Sequence, residues 1–226
     1  MLILLPPSEG KSHADGKGRF DKLEPSLLPD AAAVIKHASR LKQAARMKFY
    51  GAKDVAKAKA QHDLNEAALH SGCIKALDRY TGVVYQHIDC ANLTRRKDAE
   101  KRLLIVSSLF GLIAGGTQLP NYKLAMNPWL AKYWYPRNTE RLRKKAGKKP
   151  VLSLLSQSYA KALDCEGVLT VDFGVQGGKT AAGHFGKAIK GRFVRWLIEN
   201  RVNSPKDFGG FDEDGYRFDG VNFIQR

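Results

Sequence analysis

The chain opens on an unbroken apolar run, Met1 to Leu5, that stops at Pro6 and Pro7. A run this short, closed by two residues that cannot donate to a ladder, predicts one buried strand delivering a loop, PPSEGKSHADGKG, to the surface. The period then changes. From Asp30 onward Val34, Ile35, Ala38, Leu41 and Ala45 recur at helical spacing among Lys36, Arg40, Lys42 and Arg46, which predicts one amphipathic helix ended by Gly51. A second helix is expected from Asp54 to His70 with Gly72 as its stop, and a short third from Ile74 to Tyr80 before Gly82. Thr94 is expected to cap a helix that leads into a buried strand from Leu103 to Val106. The same order returns at Val151 to Leu155, followed by a helix opening at Ser156, Ser158 and Tyr159, and again in GVLTVDFGV, read as one strand before the glycines of GVQGGKTAAG. Ile189, Phe193, Trp196 and Leu197 mark one face of a last helix, with its aromatics inside and its cations outside. The acidic cluster Asp212, Glu213 and Asp214 precedes Gly215 as a turn would. Short apolar strands alternating with helices predict an α/β protein, a mixed sheet with surrounding helices whose strand ends present loops on one side. The length of 226 residues suits a single domain over 1–226.

Composition changes this picture only through charge. Hydrophobic residues at 43% and charged residues at 27% exclude disordered and fibrous classes. The 38 Lys and Arg against 22 Asp and Glu leave a net charge of +16, a self-repulsion that an anionic partner, nucleic acid above all, would relieve. Cys73, Cys90 and Cys165 are far apart and form no CxxC knuckle, so they read as reduced thiols in the cytoplasm. No metal spacing occurs among the histidines, and neither a metal nor another cofactor is expected. The apolar opening is too short for a signal-peptide core or a membrane span, so no membrane partner is expected.

Candidate chemistry gathers at predicted element ends. Ser8, Gly10, Lys11 and Ser12 follow a strand and carry the parts of a phosphate cradle, although Leu5 stands where a P-loop needs glycine. The stretch HFGKAIKGRFVRWLIENR supplies Lys187, Lys190, Arg192, Arg195 and Arg201. Tyr80, Tyr85, Ser107, Ser108, Tyr122, Lys123, Ser156 and Tyr159 also fall near element ends, where functional groups are commonly displayed. No Ser-His-Asp order can be assigned.

Several segments, in order and over nearly the whole chain, resemble the YaaA-type peroxide-stress proteins. They are MLILLPPSEGKS, GVVY around Tyr85, LLIVSSLFGLIAGGTQLPNYKLAMN, KYW at Trp134, LSLLSQSYAKAL with Ser156 and Tyr159, and FGKAIKGRFVRWLIENRV followed by GGFDEDGYRFD. The sequence departs from that pattern at Ser108, commonly Gly, at Ala114 and Gly115, commonly Arg-Pro, and at Ala125, commonly acidic. The resemblance implies an α/β fold of unusual topology with a basic cleft, a helix-hairpin-helix-like element and DNA binding, in a response that limits oxidative damage linked to intracellular iron. The turn Tyr80-Thr81-Gly82-Val83 is the preferred place for that hairpin, ahead of Ser107 to Gly111.

Two functions stay open. One is a largely sequence-independent DNA-binding protein that holds duplex or distorted DNA through Ser8, Lys11, Ser12, Thr81, Gly82, Lys123, Ser156, Lys187, Lys190 and Arg192. The other is an enzyme acting on a nucleotide or nucleobase, N-glycosidic chemistry for example, with Lys11, Glu9 and Tyr159 catalytic. A deep pocket holding Lys11 beside Tyr159 and Lys187 would favour the enzyme, and a flat cationic groove would favour DNA.

Overall fold

The computed structural model describes residues 1–175, 179–180 and 183–225; positions 176–178, 181 and 182 of the glycine-rich loop lie outside the described residues. The apolar opening forms β1 (Leu2–Leu5), buried throughout. Four helices follow, α1 (Phe20–Leu23), α2 (Leu28–Arg40), α3 (Gln43–Tyr50) and α4 (Val55–Ala68). The one helix expected from Asp30 to Gly51 is therefore two. Leu41 and Lys42 are extended, and Arg46 accounts for the break, because its guanidinium takes the carbonyl oxygens of Ala38, Ser39 and Leu41 at 2.6 to 3.1 Å. Carbonyls at a helix end lack the full set of intrahelical donors, and here only that of Ala38 also takes a backbone amide, from Leu41 at 3.2 Å, among the described residues. Asp54 caps α4 through the amide of Lys57 at 2.7 Å.

Where a third helix was expected, the chain forms β2 (Ile74–Lys75) and then the single turn α5 (Ala76–Arg79). Residues Tyr80 to Gly82 lead into α6 (Val83–Ile88), and α7 (Arg96–Arg102) comes next. Thr94 does not cap α7, since its amide and hydroxyl both go to the carboxylate of Glu199. Then come β3 (Leu103–Ser107), β4 (Gly111–Ala114), β5 (Gln118–Leu119), α8 (Pro128–Ala146), β6 (Val151–Ser153) and α9 (Gln157–Ala160). GVLTVDFGV is divided between β7 (Leu169–Thr170) and β8 (Phe173–Val175), which belong to different sheets. Asp172 sits at the division, with its carbonyl taken by the Phe223 amide and its own amide by the Asn222 side chain, both at 2.9 Å. The chain ends with β9 (Lys179–Thr180), α10 (Gly183–Glu199), β10 (Tyr216–Phe218) and β11 (Phe223–Gln225).

The main sheet has the order β4-β3-β1-β6-β7. β1 lies at its centre, parallel to β3 and β6, with Ile3 opposite both Leu103 and Leu152. From β1 the chain moves toward β3, while from the adjacent β6 it moves the other way to β7. Neighbouring parallel strands whose outgoing connections diverge leave a crevice beyond their C-terminal ends. Its rims are the loop after β1 and the turn into α9. A second sheet, β10-β11-β8-β9, packs with α10 around the fully buried Phe173, Phe193, Phe208, Phe211 and Phe223. Arg102, buried, ties the ends of the chain together by donating to the carbonyls of Met1, Leu197 and Val202.

One helix contact orients the rest of the site. A Cβ added at Gly191 of α10 would lie 2.4 Å from the Val84 carbonyl oxygen and 2.6 Å from the His87 Cβ, so α10 touches the backbone of α6 there. One turn further along α10, Arg195 reaches the Ile88 carbonyl and, at 2.8 Å, the Asp89 carboxylate. The two helices consequently run in the same direction, and the middle of α10, at Gly191, lies beside the first turns of α6. Gly191→Ala is expected to destabilise the fold by about 1–3 kcal/mol through overpacking, lowering Tm by several degrees in a thermal melt. Gly209→Ala, whose Cβ meets nothing within 4 Å, is the control expected to leave Tm in place.

Candidate functional site

The loop after β1 is held from beneath. Arg79 is fully buried, and its guanidinium donates to the carbonyls of Ser12 at 2.5 Å, Ala14 at 2.9 Å and Leu119 at 3.0 Å, with no carboxylate in an ion pair with it among the described residues. Backbone bonds run in both directions beside it, from the Ser12 amide to the Arg79 carbonyl at 2.8 Å and from the Thr81 amide to the Gly10 carbonyl at 3.1 Å. Gly82 completes the seam, since a Cβ there would fall 2.5 Å from the Ser8 Cβ. Ser8 to Ser12 and Tyr80 to Gly82 thus form one unit. Tyr85, buried in α6, reinforces it by donating to the Pro6 carbonyl at 2.8 Å.

Lys11 points inward. Its Nζ donates to the Ser8 carbonyl at 2.9 Å and lies 4.5 Å from the centre of the Tyr122 ring and 5.7 Å from that of Tyr80. Burial pushes its amine down to about 8; Glu9 opposes the shift, and the cations Lys123 and Arg79 add to it. Behind it, Ser107 Oγ accepts the amides of Leu109 and Phe110, so its own proton goes to the Tyr122 hydroxyl at 2.8 Å. The Tyr122 hydroxyl is also hydrogen-bonded to that of Tyr80 at 2.7 Å. Burial holds Tyr80, Tyr85 and Tyr122 well above the usual phenol range, so they are protonated donors rather than bases at neutral pH.

The opposite rim is thinner. Tyr159, half-buried in α9, lies 3.5 Å from Ser108 at the end of β3, while Ser156 is exposed and faces Ser158 at 3.3 Å. Lys123 is exposed beside the Lys11 loop, with its backbone locked to the Asn65 side chain by two bonds of 2.9 Å. Lys187 is exposed and Lys190 half-buried on α10, neither in an ion pair among the described residues. Arg192 is committed elsewhere, to Asp214 in the turn before β10, as Arg195 is to Asp89.

The structure therefore gathers Ser8, Glu9, Lys11, Ser12, Thr81, Gly82, Lys123 and Tyr159 around the crevice, has Lys187 exposed one turn before the Gly191 contact with α6, and leaves Arg192 in a salt bridge. Arg79 escaped the sequence reading because nothing in its spacing separates a buried clamp from a surface cation. Among the described residues no group of three His, Cys, Asp or Glu side chains is placed to hold a metal. Burial pushes the Cys73 thiol up to about 11 and that of Cys90 up to about 12, which keeps both unreactive. No helix among the described residues is long and apolar enough to cross a membrane.

The family described as Peroxide stress protein YaaA matches residues 1–221. A UPF0246 protein of Streptomyces coelicolor is 32% identical, over 88% of this chain and 83% of its own. UPF0246 proteins of Corynebacterium glutamicum and Polynucleobacter asymbioticus are 29% and 28% identical, over 92% and 96% of this chain and 89% and 93% of theirs.

The Lys11 geometry has a consequence for stability. Between the folded value of about 8 and the ordinary 10.5, the unfolded chain holds this proton and the folded chain does not. Stability contributed by this group therefore rises with pH across that window, by up to about 1.4 kcal/mol per pH unit. Urea denaturation from pH 7.5 to 9.5 should show that rise in the parent and not in Lys11→Met; equal slopes would place the amine in open water.

Proposed function

The chain belongs to the Peroxide stress protein YaaA family, and we propose that its part in that response is to bind DNA through backbone phosphates with little sequence preference. The parallel packing of α10 on α6 carries this reading. Lys187 is exposed one turn before the Gly191 contact with α6, and we take it to extend, with the Ser8, Ser12 and Thr81 hydroxyls, one edge toward the phosphates. We read the single turn α5 and the short α6, joined by Tyr80 to Gly82, as the helix-hairpin-helix-like element. In such an element first-turn amides without helical acceptors meet phosphate and read no bases. Here the Thr81 amide is already taken by Gly10, which leaves phosphate contact to the first turn of α6, the Ser8, Ser12 and Thr81 hydroxyls and the lysines. Covering DNA in this way would serve to limit iron-linked oxidative damage.

A second reading, an enzyme acting on a nucleotide or nucleobase, is favoured by one observation, the lowered amine of Lys11 beneath two tyrosine rings at the switch of strand order. Its proposed partners are Glu9, exposed on the loop, and Tyr159 on the far rim. Stabilisation by a nucleotide in a thermal-shift screen, lost in Lys11→Ala, would support it.

Fluorescence anisotropy on a labelled duplex at several salt concentrations tests the DNA reading. Binding should weaken steeply with salt, and Lys187→Ala and Lys123→Ala should each reduce the log–log slope by about one while lowering affinity alike for unrelated sequences. No binding at low salt would rule the reading out.

A further inference from the structure

Outside the crevice, α8 and α9 border two adjoining open hollows of about 450 and 590 Å³ that share Tyr135 and Lys161. We infer that this groove holds an unpaired nucleotide of a single DNA strand, its base on Tyr135 and its phosphates between Lys132 and Lys161. The inference rests on the DNA-binding reading given above and adds a second contact surface to it.

Three observations carry it. First, the other large aromatics of α8 are in use. Trp129 is stacked between His37 at 3.7 Å and Tyr133 at 5.2 Å, the Arg137 guanidinium covers Tyr133 at 4.0 Å, and Trp134 is buried. Tyr135 alone is 46% exposed, with no aromatic or cationic partner among the described residues. Second, the charges divide in the same way. Arg137, Arg141, Arg143 and Lys144 of α8 are each paired with a carboxylate, whereas Lys132 and Lys161 at the groove, like Lys145 near the end of α8, are exposed and have none among the described residues. Asp164, at the far end of the groove, is neutralised by Arg143 at 3.0 Å. Third, the floor at Met126, Pro128 and Ala131 is apolar, so an aromatic body with anionic ends fits better than a simple anion.

The occupant follows from these features. A base inside a duplex is stacked on both faces, while an unpaired base offers a face to an aromatic ring. The hollows lie end to end, and the wall between them and the crevice is α9 itself. Ser158 and Lys161 line the groove, while Tyr159 meets Ser108 at the crevice. A strand leaving the crevice edge crosses that single turn to reach Tyr135.

The test compares labelled oligothymidylate, a closed hairpin duplex and thymidine monophosphate as competitor, by anisotropy on the full chain. Tyr135→Ala should weaken oligothymidylate binding roughly tenfold and leave hairpin binding unchanged, with Tyr135→Phe restoring the loss. Lys161→Ala should reduce the single-strand salt slope by about 0.7. Unchanged oligothymidylate affinity in Tyr135→Ala would overturn the proposal, as would thymidine monophosphate competing as tightly as the oligonucleotide, which would assign the groove to a free nucleotide. If oligothymidylate binds with this Tyr135 dependence while the hairpin does not bind at all, the crevice reading falls and the groove stands.

Discussion

A buried guanidinium held by backbone carbonyls, that of Arg79, is the joint on which the candidate site depends. Leaving water is expensive for such a charge, and here three carbonyl oxygens replace the lost hydration. Those carbonyls come from the loop after β1 and from β5, while Arg79 itself stands next to the turn leading into α6. One side chain therefore fixes the strand-end loop, the turn and the small β2–β5 ladder relative to each other. The Thr81–Gly10 hydrogen bond and the closeness of Gly82 to Ser8 follow from that arrangement. Lys11 faces its tyrosines because its loop has little freedom to turn outward.

The second constraint is the approach of α10 to α6. Gly191 allows backbone contact, Arg195 bonded to Asp89 sets the register, and the direction of α10 then decides where its first lysine lies. The two constraints meet at the start of α6. The central placement of β1 between β3 and β6 locates the crevice, but the clamp and the helix contact decide which side chains border it.

Much of this architecture was legible in the sequence. β1 is marked by an apolar run closed with prolines, β3 by its continuous aliphatic stretch, and α4 by the stretch from Asp54 to the Gly72 stop. The failures share one cause, polar contacts between residues that no periodicity connects. Arg46 ends α2 from the following helix, Glu199 takes Thr94 away from α7, and Asp172 ties its backbone to β11 and so splits one apparent strand into two. The site shows the same division. Ser8, Lys11 and Ser12 were readable as a strand-end loop, and Tyr80 and Tyr122 as polar residues at element ends. The burial of Arg79 and the pairing of Arg192 with Asp214 depend on chain segments brought together only by folding.

Inward Lys11 and outward Lys187 stand for the two chemistries available at this edge. An amine pressed against tyrosines suits a small enclosed partner, while exposed lysines beside hydroxyls suit a phosphate chain. The excess of 16 positive charges favours the polymer, because a small ligand would neutralise little of it. Amide hydrogen exchange with and without a saturating DNA duplex tests this most directly. Slowed exchange confined to residues 8–12, 81–86 and 185–190 is the predicted result. Protection along the basic helices α2 and α3, with none at those three segments, would contradict it.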